Sequence, residues 1–180
     1  MKQVVSLLAV AGLLALAGCG GESESGPNPS TVAFYNALKD LQSGQGVPAA
    51  APYHGGTLPH KIYGYYASYD LPAEWLANSL PELQLFINRT ETRTKTGRTQ
   101  AYSYLLRNYN YELIHLTYTY TLLEAQTGEV LATLVLEGDN TFPGTITEQG
   151  PVFTGSGYLS VDDKVDSSPI LEWVRPYVER

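Results

Sequence analysis

Cysteine is almost missing from this chain: Cys19 is the single one in 180 residues. One thiol excludes a disulfide within the chain and any zinc site built from a cysteine cluster. Histidine is scarce as well. His54, His60 and His115 fall in no HExxH or Cys/His pattern, so no metal or other cofactor is implied, and all three read as surface or pocket residues. Charge is sparse at 16% and leans acidic, with eleven Lys and Arg against eighteen Asp and Glu for a net −7. That balance lacks the basic surface that displaces counterions from phosphates, and it argues against a nucleic-acid partner. Phenylalanine is rare at four, whereas tyrosine reaches fourteen. Tyrosine suits half-wet sheet faces, where the ring packs and the hydroxyl meets water or a partner. Beyond the first eighteen residues no apolar run approaches the ~20 residues of a membrane-spanning helix.

The one apolar run is at the start. Lys2 supplies a positive charge, residues 4–16 are apolar apart from Ser6 and Gly12, and the small Ala17 and Gly18 precede Cys19. This is too short for a comfortable span and has the flanks of a cleaved signal. The tetrapeptide Leu16-Ala17-Gly18-Cys19 resembles the lipobox of bacterial lipoproteins. The resemblance implies diacylglycerol on the Cys19 sulfur, cleavage between Gly18 and Cys19, and acylation (palmitate) of the new amino group. Several acyl chains anchor far more firmly than one. The implied place is a membrane-anchored, extracytoplasmic one. Gly20, rather than aspartate, after the cysteine implies the outer membrane facing the periplasm in a Gram-negative source. An ordinary secretory signal with an incidental cysteine is the alternative.

Residues 1–18 are therefore expected to be removed. Residues 19–57 read as a flexible tether. GGESESGPNPS buries nothing, while Phe34, Leu38 and Leu41 at i, i+4 and i+7 predict a short helix over 31–42 behind a Ser30 cap. Residues 58–180 read as one domain. A tyrosine-rich strand is expected at 60–70, and a helix opens after Asp70 and Pro72. A strand over 82–94 turns at KTG (95–97) and returns over 98–107. In ELIHLTYTYTLL the residues Ile114, Leu116, Tyr118, Tyr120 and Leu122 alternate with His115 and three threonines, which marks a strand with one apolar and one polar face. Gly128 supplies a turn, and EVLATLVLEG, apolar on both faces, is expected to be the more buried partner strand. A short strand is expected within 151–159. Ser168 and Pro169 open a terminal helix that Pro176 should kink or end. The sum is α+β: an antiparallel or mixed sheet with a few short helices packed on one face.

The stretches TGEVLATLVLEG (127–138), FPG (142–144) and SSPILEWVRPYV (167–178) resemble the end of an uncharacterised bacterial domain of unknown function, found on lipoproteins and membrane-tethered proteins. EWLANSLPELQ (74–84) matches more loosely. That resemblance implies an architecture and no chemistry.

No catalytic constellation stands out. GSG at 155–157 lacks the GxSxG elbow, HGG at 54–56 reads as a turn, and Asp162, Asp163 and Asp166 read as a solvated acidic loop, their spacing departing from a calcium loop. Two surfaces are left. Arg89, Arg93, Lys95 and Arg98 gather around the expected hairpin tip and could meet an acidic partner or anionic headgroups; charges that guard an edge strand are the plainer reading. Tyr63, Tyr65, Tyr118 and Tyr120 could line a ligand concavity. The expected function is thus a lipid-anchored envelope protein, not an enzyme, whose domain binds an envelope protein or polymer. The alternatives are a small-ligand binder using the tyrosines and, behind it, an envelope hydrolase.

Overall fold

The computed structural model describes residues 29–64, 71–104, 107–144 and 159–180. Gly18, Cys19, Tyr65 and most of the strand expected within 151–159 lie outside them. The architecture is α+β on a mixed five-stranded sheet. Its spine is an antiparallel pair, β2 (Leu85–Tyr104) and β3 (Arg107–Glu124). β1 (Ile62–Gly64) lies parallel to the start of β2. On the other edge of β3, β4 (Val130–Glu137) pairs antiparallel with its second half and β5 (Leu159–Asp162) parallel with its first half, so the two lie end to end.

The period-two pattern of β3 decides how the sheet is buried. Ile114, Leu116, Tyr120 and Leu122 are buried on one face. The register sets Leu122 against Ile87 and Tyr120 against Arg89 on that face, and Leu123 against Phe86 on the other. Helix α2 (Pro169–Val178) covers the first face: Ile170, Val174 and Val178, at i, i+4 and i+8, are fully buried with Ile62, Trp75, Leu85 and Leu122. Helix α1 (Pro29–Gln42) covers the second face, with Leu38 and Leu41 fully buried against Leu83, Phe86 and Leu123. Each such side chain contributes about 1.5–3 kcal/mol by burial. The helices therefore flank the sheet instead of sharing one face, because Phe86 and Leu123 give that end of the sheet a second apolar side.

The folded body also begins earlier than residue 58. Gly44, at φ 82°, closes α1, with its amide on Leu41 O and the Gln45 amide on Asp40 O. The chain then stays on the body: the Val47 amide bonds Ala125 O and the Ala51 amide bonds Leu83 O, each at 2.9 Å. Most of the expected tether is thus docked in cis.

Other expectations change for local reasons. The helix after Pro72 is two 3-10 turns, Ala73–Trp75 and Leu80–Glu82. Between them Leu76 bridges to Ile62, and the Ala77 amide bonds Ile62 O, so β1 takes the backbone groups a helix would use. KTG is a bulge inside β2, not a turn. Three residues, 96–98, sit between the paired Lys95 and Thr99 with Gly97 at φ 72°, and pairing resumes as far as Tyr104 with Arg107. β4 is more exposed than β3, with Val130 at 57% and Val135 at 52%, because it pairs with β3 alone among the named strands. Gly128 does sit in the β3–β4 turn at φ 77°. Ser168 does not cap α2; its amide and hydroxyl both bond the Asp166 carboxylate. The helix runs two residues past Pro176.

Candidate functional site

The four basic residues do not form a tip. They lie along β2 below the hairpin end, and each has a partner inside the body. Arg89 stacks over the Tyr118 ring at 4.3 Å and pairs with Glu91 at 3.7 Å. Arg93 pairs with Glu91 at 3.3 Å and with Asp162 of β5. Lys95 pairs with Glu112 across the strands at 3.2 Å. Arg98, past the bulge, donates to Asn140 O at 2.7 Å and lies over Phe142. The alternation Arg-Glu-Arg-Lys on one face of β2 is thus a ladder neutralised by β3 and β5. These are surface pairs, with the Arg93 side chain 50% and the Lys95 side chain 63% exposed, so acidic neighbours on β2, β3 and β5 offset the positive charge without burying it.

The tyrosines are not gathered either. Tyr63 pairs with Phe86 and meets Phe34 edge-on at 5.4 Å, on the α1 face. Tyr118 and Tyr120 lie on the α2 face, edge-on to each other at 6.3 Å. Tyr120 is buried, so no common concavity joins them to Tyr63. Burial pushes the Tyr118 hydroxyl above its ordinary value; Arg89 pulls the other way, and Glu91 adds to the rise.

Of the tyrosines named from the sequence, Tyr63 nevertheless lines a groove. Between the first turns of α1 and the segment 77–81 lies an open cavity of about 560 Å³, walled by Phe34, Tyr35, Tyr63, Leu80 and Pro81. Ser30, Thr31, Asn78 and Ser79 add a few polar groups. Apolar walls with sparse polar groups at this volume are usual for small-ligand sites. Sequence reading missed the groove because its walls come from three separate segments; it singled out Tyr63 and the helical spacing of Phe34 without bringing them together.

Two histidines are also more integrated than a surface reading implies. His60 is buried against the Tyr53 ring at 4.6 Å. His115 bonds the Asp163 carboxylate at 2.6 Å. Asp163 is buried and also accepts the Leu116 amide at 2.8 Å and the Asn140 amide at 3.0 Å. It fastens β3 to the ends of β4 and β5, and Gly138 lies so close to its carboxylate that a Cβ there would collide. Asp163 is therefore a structural carboxylate, not part of a solvated loop. Among the described residues no group of three or more His, Cys, Asp or Glu is placed to hold a metal ion. Nor is any described helix long and apolar enough to cross a membrane. The chain matches no protein-family model, no curated protein and no solved structure.

Proposed function

We propose that this chain is a lipid-anchored protein of a bacterial envelope whose body is a non-enzymatic binding module. The observation that carries the reading is Leu16-Ala17-Gly18-Cys19 at the end of a charged-then-apolar leader. Replacing Cys19 with alanine should move the chain from the membrane fraction to the soluble fraction. Undiminished membrane retention would overturn the anchor. In-cell crosslinking of the lipidated chain followed by mass spectrometry then identifies an envelope protein or polymer.

The groove supports a second reading, a small apolar ligand held between Phe34, Tyr63 and Leu80. Under it, native mass spectrometry of the Cys19→Ala chain shows a bound mass that Leu80→Arg removes. A spectrum free of added mass returns the weight to a macromolecular partner.

A further inference from the structure

The amino-terminal half of α1 carries one of the exposed apolar patches of the described surface, and the one nearest Cys19 along the chain. Val32 is 41% exposed and Tyr35 50% exposed, and the two stand at i and i+3, one above the other on the outward side of the helix. They adjoin the groove walled by Phe34 and Leu80. Residues 26–38 carry no charge, in a chain whose net charge is −7. This end of α1 thus presents neighbouring aliphatic and aromatic side chains with hydroxyl and amide groups and nothing that a headgroup layer would repel.

The position of this patch names its occupant. Residues 20–28 separate it from Cys19, and nine residues reach at most ~30 Å when fully extended. A tether of that length holds the patch at high effective concentration over the bilayer that carries the lipid. Tyrosine is enriched at membrane–water interfaces, where the ring sits among the headgroups and the hydroxyl stays wet. We propose that the first two turns of α1, through Val32 and Tyr35, seat on the interface of the bilayer to which Cys19 is anchored. The body is then held in one orientation, with the groove mouth at the membrane surface. The inference rests on the lipid-anchor reading.

The test uses the full lipidated chain in phospholipid vesicles. The Cys19 sulfur is a thioether in that form, so an introduced cysteine is the one free thiol. A nitroxide at Thr31→Cys, exposed and one turn before Tyr35 on the same face, should collide with oxygen several-fold more readily than with a water-soluble nickel chelate. A nitroxide at Val130→Cys, exposed on β4, should show the reverse. Adding Val32→Asp should bring the Thr31 label back toward the Val130 pattern. Equal accessibility at the two positions on vesicles that float with the protein overturns the seating and leaves the anchor intact. Failure of the protein to float with the vesicles overturns the anchor reading itself.

Discussion

A buried carboxylate that accepts two backbone amides and a histidine nitrogen holds more than its own place. Without Asp163 the Leu116 and Asn140 amides lose their acceptor, and Asn140 is held at φ 55° beside it. Asp163→Ala should lower unfolding free energy by about 3 kcal/mol, read as a fall in the urea midpoint. Gly138→Ala should cost a similar amount, because its methyl group would meet the same carboxylate. A midpoint unchanged in both variants would show that the strand ends hold without this fastening. Tyr118 carries a second prediction. Its hydroxyl is raised above the ordinary 10.0 by burial, so the fold favours the neutral phenol. That contribution is fully present below the unfolded value and is lost as pH rises through the folded one. The phenolate absorbance missing from Tyr118→Phe should therefore titrate above pH 10.0. Little of this was legible beforehand. Asp163 sits among other acids in a turn-rich stretch, and its partners lie on β3 and beyond β4. The charges of β2 were legible as one face, but their partners on β3 and β5 were not.

At the scale of elements, alternation was the reliable signal. Ile114, Leu116, Tyr120 and Leu122 of the predicted apolar face of β3 are buried and Tyr118 is half-buried, since a strand with a covered face resists a slip of register. Turn chemistry misled at KTG. A glycine at positive φ serves a bulge as well as a hairpin turn, and what separates them is whether the following residues find partners. Here Thr99–Tyr104 pair with Arg107–Glu112. The α1 stripe was legible, but its destination depends on Phe86 and Leu123, forty and more residues away. Leu38→Ala and Leu41→Ala should each destabilise by about 2–5 kcal/mol, the range for emptying a buried leucine site. An unaltered thermal midpoint would mean that α1 is not part of the cooperative body. Arg93→Glu would face Glu91 and Asp162. Because Arg93 is half exposed, the loss should be about 1 kcal/mol and should shrink in high salt. A loss that salt leaves unchanged would point to packing instead of charge.

For the whole molecule, the fold class was legible from composition and periodicity, and the groove was not. The groove exists because α1, β1 and the segment 77–81 meet, and no local pattern encodes that meeting. The proposed membrane attachment belongs to this scale as well, and Cys19→Ala is its check. The two core clusters sit on opposite faces of one end of the sheet, and among the described residues neither helix belongs to the far half of the β2–β3 pair.

The way α1 is attached has a mechanical consequence. Within the sheet, neighbours are joined by ladders of backbone bonds, which resist shear together. Helix α1 is held mainly by side-chain packing, of Phe34 on Tyr63 and of Ala37, Leu38 and Leu41 in the core, together with the Asn88 side-chain amide on Gln42 O. Load arriving from the amino end therefore meets the helix first and peels it one contact at a time. The strands beneath would still be intact when Phe86 and Leu123 came into view, so a stretched chain would expose an apolar strip before it lost its fold.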